Sequence, residues 1–516
     1  MSKHTELIVA LVGGAGTDFE KISTFIKGIL DPYFSVSEIK LSSLPEKYFN
    51  TEKTFKGKGV LDRIHFYQDL CDKYAKINCA IMAMLAMIEI RKQRNPDKCN
   101  VYIINSLKRE DEFKALRRVY GQNLILISIY EPKARRFEHL IQQEEIENGT
   151  PTEKTKKKLE QIIDRDKENK EISHGQAVRN TYIHASYFIR FDSYHEDINR
   201  LFNVLRGDPI ITPTKDELAM AQAYVMAMRS ADLNRQVGAV IADDDGNIIA
   251  SGCNEVPKFN GGLCWPTDIS DLRDYFHTAE NGVPSSIKIK TEIAENIVKI
   301  IKETLRSRIK IDDKLTQQLV DVLLKKGEIK DLLEYLRPVH AEEAAICDAA
   351  LRGVSTKGKT LYCNTYPCHL CAKKIIAAGI KRVVYIDPYP KSKAEELFQG
   401  IMIDKPINER DSKEKVVFDS FTGFSPKRYS YMFNLKYKTR VDEQTKRVIP
   451  RESLNFPQDI IYVSNYTPLG YLMKEEAYIY WLLQNSQDLN EESNNFELKF
   501  MEYKNLFNEE TKWMER

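Results

Sequence analysis

Hydrophobic positions in the first part of the chain fall into short solid runs and do not alternate with polar ones. "LIVALV" (7–12), "VYII" (101–104) and "LILISIY" (124–130) are separated by stretches of helical periodicity, from about 18 to 30 and near 60–94. A strand that is apolar at every position suits burial on both faces, so the pattern predicts a parallel sheet with helices on either side. Residues 143–171 are dense in charge and read as a solvated helix or a mobile lid. "RGDPIITPT" (206–214) sets glycine and two prolines between helical patterns, which marks a domain boundary. The first domain is therefore placed at 1–208.

Beyond the boundary the pattern changes. "QVGAVIADDDGNIIASG" (236–252) is two apolar runs around an Asp/Gly/Asn turn, a hairpin signal. "KTLYC" (359–363), a helix at about 369–379 and "RVVYI" (382–386) follow, so a second α/β domain with a mixed sheet is expected over 212–425. Within it, residues from about 265 to 337 have 3.6-like periodicity and no candidate chemistry, and read as a helical insertion. Residues 426–516, rich in tyrosine, are expected to pack on the second domain or on a neighbouring subunit.

Composition narrows the class. A chain of 516 residues is too long for one ordinary core. Lysine plus arginine (77) nearly balances aspartate plus glutamate (75), so the overall charge argues for neither a nucleic-acid nor a membrane surface. The N-terminal apolar run is too short for a signal peptide. "INCAIMAMLAMI" (77–88) is shorter than the roughly 18 residues of a spanning helix. It is predicted to be a buried helix. Nine cysteines, an odd number without a secretion signal, suit reduced thiols in a cytoplasm. A close cysteine pair is then metal-binding or catalytic.

That pair lies in "TYPCHLCAKKII", where Cys368 and Cys371 flank His369. Two thiolates alone fit a redox pair or part of a zinc knuckle, so a third ligand decides between the readings. "RPVHAEEAAICDAALRG" (337–353) supplies His340 at the predicted start of a helix, with Glu342 two residues on. Two helix starts, one bringing an imidazole and the other two thiolates, make a three-ligand site for Zn2+ with a fourth position open for water. Glu342 is then placed for general acid/base work. H-x-E followed by P-C-x-x-C is the pattern of the zinc nucleobase deaminases, and His340, Glu342, Pro367, Cys368 and Cys371 complete it. His369 would have to turn back to reach the same ion and is expected to stay out. Cys253, Cys264, Cys347 and Cys363 read as buried hydrophobes.

"HAEEAAI", "TYPCHLCAKKIIAAGIKRVVY" and "RQVGAVI…SGCNEVP" resemble the deoxycytidylate deaminase family, whose fold is a mixed sheet sandwiched by helices. The resemblance implies that Asn254 contacts the sugar and base of the substrate, and that Arg235 and Tyr389, the latter in "DPYP" (387–390), lie near its phosphate. The interval from Pro257 to His340 is much longer than in compact members.

In the first domain "LVGGAGTDFEKI" follows a strand and opens a helix, where a phosphate-cradling loop belongs, with Gly13, Gly14, Gly16, Thr17 and Asp18 as candidate nucleotide contacts. The lysine of a Walker A loop is missing, and Asp18 adds a repelling charge. Backbone amides could still hold a phosphate, and a purely structural role stays open. A degenerate P-loop kinase-like domain ahead of a zinc deaminase resembles the bacterial two-domain antiviral deoxycytidylate deaminases over essentially the whole chain. That resemblance implies an α/β fold with a P-loop kinase-like parallel sheet followed by a cytidine-deaminase-like mixed sheet. It also implies dCTP and dCMP as substrates, depletion of deoxycytidine nucleotides during phage infection, repression in some members by a small RNA, and a homo-oligomer. Two other readings remain. One is a deaminase of tRNA or single-stranded DNA, although the Arg117–Arg118 and Arg135–Arg136 clusters lie in the other domain. The other is a non-catalytic nucleotide sensor stabilised by zinc, which would have no need of Glu342.

Overall fold

The computed structural model describes residues 6–485 except 50–54, 56, 58, 96, 168–177, 209, 306–311, 389–391, 405–412, 435–439, 443 and 449–467. The chain forms two compact units, one made of 1–213 with 422–516 and the other of 214–421.

The sheet of the first unit is built from β1 (Glu6–Val12), β2 (Ser35–Lys40), β3 (Asn100–Asn105), β4 (Leu124–Tyr130) and β5 (Tyr187–Arg190), all parallel, in the order β5-β4-β1-β3-β2. Every residue of β1 is buried, with Ile8 opposite Tyr102 on one side and Leu124 on the other. The solid apolar runs are thus the central strands, and helices on both faces exclude water from them. The chain leaves β1 towards β2 and leaves β3 towards β4, so the carboxyl ends of these neighbours open a crevice of the kind in which α/β sheets bind ligands.

Two expectations need correction. The long helix near 60–94 is two helices, Val60–Ala75 and Ile81–Gln93, because Asn78 accepts a hydrogen bond from the Ala80 N–H (2.8 Å) and turns the chain between them. The second domain, expected to run to 425, ends at Phe421, and the segment after 425, expected on that domain or a neighbouring subunit, falls in the first unit in its described part. β12 (Gly423–Phe424) pairs antiparallel with β5, and Phe424 and Met432 enter the first core. The helix Pro468–Gln484 packs on Ile81–Gln93, where Glu475 accepts from Arg94 (2.8 Å) and from the Tyr120 hydroxyl (2.7 Å).

In the second unit β6 (Gly238–Ala242) is antiparallel to both β7 (Ile248–Cys253) and β8 (Thr360–Thr365). Beyond β8, the strands β9 (Arg382–Asp387), β11 (Val416–Ser420) and β10 (Met402–Asp404) continue in parallel. The helix Lys215–Met228 lies against β6 and β8. The face carrying Ala239, Ile241, Leu361 and Cys363 packs on Ala341, Ala345 and Ala349 of one helix and on Ala372 and Ile375 of the next. The expected insertion is helical, with Ser285–Thr304 and Asp313–Lys326 closing a small core around Ala294, Val298 and Val320.

Small residues let the helix Ala341–Leu351 lie almost on the backbone of β7. A Cβ on Gly252 would stand 2.4 Å from the Ala345 nitrogen and 2.6 Å from the Ala341 oxygen. Asp348 accepts from the Ser251 N–H (3.0 Å) and fixes the register of this contact. We therefore expect Gly252→Ala to lower stability by about 1–3 kcal/mol. It should also reduce the zinc content of purified protein, as read by thermal unfolding and metal analysis. Unchanged values of both would show that the close approach does not set the helix position.

Candidate active site and metal centre

His340 is the N-cap residue of the helix Ala341–Leu351, and Cys368 is the N-cap of His369–Ala377. Both have extended backbone just before the helix begins, so each side chain turns back over a helix start. The two starts meet at the edge of the sheet where β8 ends. His340 Nδ1 lies 3.3 Å from the Sγ of Cys368 and 3.3 Å from the Sγ of Cys371. All three donor atoms fall within 4.8 Å of one another. Nitrogen and sulfur bound to one tetrahedral zinc at about 2.0 and 2.3 Å would be about 3.6 Å apart, so the donor set fits the ion.

Its electrostatics fit as well. The Cys368 thiol is lowered to about 4, first by hydrogen bonding with Cys371 and then by His340, against the opposing effect of burial. Its sulfur also accepts the Cys371 N–H at 3.5 Å at the positive end of a helix. The direction of the shift favours the thiolate at this position. Glu342 sits in the first turn of its helix at 4% exposure, and burial raises its carboxyl above the ordinary range although His340 pulls it down. A carboxyl placed beside such a donor set is suited to taking and giving a proton.

The other candidate residues are placed as follows. Asn254 is buried just beyond β7; its Nδ2 donates to the Arg235 carbonyl (2.6 Å) and its Oδ1 accepts from the Val237 N–H (2.7 Å). It clamps the segment that leads into β6. Arg235 forms an ion pair with Asp387 at the end of β9. Both therefore stand at the same sheet edge as the metal cluster. Tyr389 lies outside the described residues. His369 is absent from the cluster, and its Nδ1 is buried without a partner. Cys253, Cys264 and Cys363 are buried as expected, whereas Cys347 is exposed, because its position on the Ala341–Leu351 helix is off the alanine face that meets the sheet.

One positioning residue escaped the sequence reading. Glu255 is 1% exposed; its backbone oxygen accepts from the Val339 N–H (3.1 Å) and its carboxylate from the Ala231 N–H (3.0 Å). It ties the residue before His340 to the exit of β7. The signal available was an acidic residue inside "CNEVP", flanked by positions that read as buried.

In the first unit Gly16, Thr17 and Asp18 line a cavity, while Gly13 and Gly14 pack behind it against Phe19 and the Arg136 guanidinium. Gly16 has φ +90°, and a Cβ there would meet the Arg136 carbonyl at 2.6 Å, so only glycine suits the position. The Thr17 N–H donates to the Gly14 oxygen (3.1 Å), and Asp18 caps the helix Phe19–Leu30 by accepting from Lys21 (3.0 Å). Loop carbonyls are met from outside by Arg136 Nη1 on Ala15 (2.8 Å) and by His139 on Gly16 (2.7 Å).

The model of the cytidine and deoxycytidylate deaminase zinc-binding region matches residues 213–387. Deoxycytidylate deaminase of Mus musculus is 30% identical over 211 residues, which cover 40% of this chain and 85% of that protein. The chain belongs to the deoxycytidylate deaminase family. ComE operon protein 2 of Bacillus subtilis is 38% identical to this family member over 90 residues, 16% of the chain, which spans 48% of that relative's length. The crystal structure of dCMP deaminase from cyanophage S-TIM5 in apo form is matched over 41% of the chain and 100% of its own, with 17% identity and a TM-score of 0.22, a likeness too slight to bear on function. His340, Cys368 and Cys371 all lie in the zinc-binding region matched by the family model, and they are a donor cluster that could hold its Zn2+.

Removing the imidazole of His369 should leave the metal in place. His369→Ala is expected to retain about one zinc per chain, and Cys371→Ala to lose most of it, by metal analysis of purified protein. Loss of zinc in the histidine variant would place His369 among the ligands.

Proposed function

We propose that the chain deaminates deoxycytidine nucleotides hydrolytically, converting dCMP and dCTP to dUMP and dUTP with release of ammonia. The observation that carries this reading is the burial of the Glu342 carboxyl beside three metal donors, since a purely structural zinc site has no use for a proton carrier. Zinc held by His340, Cys368 and Cys371 supplies a Lewis acid that makes water nucleophilic near neutral pH. Water adds its oxygen to C4 of the pyrimidine while one of its protons goes to N3, the bond from C4 to the exocyclic nitrogen breaks, and Glu342 carries the second water proton to the departing nitrogen, which leaves as ammonia. Asn254 holds Arg235–Val237 at the rim; the family resemblance supports Asn254 as a contact of the sugar and base, and Arg235 and Tyr389 as contacts of the phosphate. The name and coverage of the mouse relative support a deoxycytidylate as substrate.

The resemblance to two-domain antiviral deaminases supports a further part of the reading. In it the enzyme withdraws deoxycytidine nucleotides from an infecting phage, works in the cytoplasm as a homo-oligomer, and is kept silent by a small RNA. Among the described residues no helix is long and apolar enough to cross a membrane. The parallel sheet and the glycine loop after β1 support a P-loop kinase-like first unit that binds a nucleotide.

Two measurements test the chemistry. Glu342→Ala should keep its zinc and lose at least about 10²-fold in ammonia release from dCMP; retained turnover would remove Glu342 from the mechanism. The unaltered protein should release ammonia from dCMP and dCTP but not from single-stranded DNA or tRNA. Deamination of the polymers alone would replace the substrate class, and full zinc with no turnover of any substrate would favour a sensor.

A further inference from the structure

A cavity of about 610 Å³ opens at the carboxyl ends of β1, β2 and β3, within the first unit and outside the deaminase site. Its lining contains buried polar groups that the protein leaves unanswered. Gln68, on the helix Val60–Ala75, is 5% exposed, and neither its Nε2 nor its Oε1 has a hydrogen-bond partner. Asn105, at the end of β3, is 8% exposed; its Nδ2 donates to Ser23 Oγ (2.9 Å) and Glu38 Oε1 (2.6 Å), which fixes the amide and leaves its Oδ1 without a partner. Buried amides are nearly always satisfied, so an unsatisfied carboxamide and carbonyl lining one cavity point to a ligand.

We propose that this cavity binds a nucleobase, whose hydrogen-bonding edge is read by the Gln68 carboxamide with the Asn105 carbonyl oxygen as a further acceptor. The proposal rests on, and deepens, the reading of the first unit as nucleotide-binding. A carboxamide offers one donor and one acceptor side by side, the complement of the adjacent donor and acceptor on a base edge. The rings of Phe19 and Tyr67 line the same cavity and offer flat apolar faces, and Lys40 and Lys108 supply cations for an attached phosphate. The volume accommodates a nucleotide. Recognition is thereby assigned to the base, not to a Walker-type phosphate cradle, whose lysine this loop lacks.

The test uses the full chain carrying Glu342→Ala, so that no substrate is turned over. It is titrated calorimetrically with adenosine, guanosine, cytidine and thymidine, with their 5′-monophosphates, and with ribose 5-phosphate as the base-free control. At least one base-bearing compound should bind with an affinity that falls about tenfold or more in Gln68→Leu, and ribose 5-phosphate should bind at least about tenfold more weakly than that compound. Gln68→Leu should unfold, without ligand, at the same or a higher temperature, because it removes an unpaired buried amide. Should that variant fail to fold, Gln68→Glu exchanges the donor for an acceptor at equal size and should change the ranking of the bases. Binding of cytidine compounds that ignores Gln68 belongs to the deaminase site. If all binding ignores Gln68, or ribose 5-phosphate binds as tightly as any nucleotide, the base-reading proposal is overturned. In that case a loss of phosphate binding in Lys108→Ala would leave the nucleotide reading standing. No binding by any compound overturns both. Ammonia release by the unaltered protein is scored separately, so failure of the deaminase reading is distinguishable from either result.

Discussion

The contact on which the second unit depends is the approach of the helix Ala341–Leu351 to β7. Gly252 has no side chain to hold the helix off, and alanines at 341, 345 and 349 give it a face that can lie flat on the sheet. The helix start is then fixed in three dimensions by backbone packing, and with it the imidazole of His340. The three donor positions need little conformational freedom of their own, because His340 and Cys368 are N-caps whose geometry the following helices dictate and Cys371 lies in the first turn of the helix that Cys368 caps. Glu255 and Asp348 add hydrogen bonds on either side of this contact, holding the residue before His340 and the body of the helix to the same strand. Preorganisation of this sort suits a metal centre, where displacing a donor by an ångström weakens the whole set.

The donor cluster at the sheet edge was legible in the sequence because residues able to ligate a metal declare themselves by type and spacing. A thiolate pair two residues apart and an H-x-E at a helix start are constrained by bond lengths, and no tertiary information is needed to see that they belong together. The central strands were legible for a different reason. Burial on both faces leaves no polar position, and β1, β3 and β4 carry that mark plainly.

What the sequence hid were partnerships across long separations. The helix Pro468–Gln484 carries Glu475, fully buried, which pairs with Arg94 and Tyr120 from 381 and 355 residues earlier. No local pattern announces such a contact. The break between the helices ending at Ala75 and beginning at Ile81 was hidden by the opposite effect: a single asparagine side chain turns the chain between two stretches of good helix formers. Asn254 illustrates a third limit: its amide grips the backbone of residues 235 and 237, an engagement that no local pattern shows. Sequence reading identifies a group that matters without distinguishing what it grips.

The return of the chain to its first sheet after Phe421 makes the first unit discontinuous and the second continuous. During synthesis the second unit can close as soon as its own residues have emerged, while the outer backbone groups of β5 wait for the pairing with Gly423–Phe424. An open strand edge is a template for unwanted association. The order of emergence from the ribosome therefore leaves the earlier-made unit as the last to be finished, and the nascent chain passes through a stage in which the unit with the metal-donor cluster is closed and its companion still needs protection.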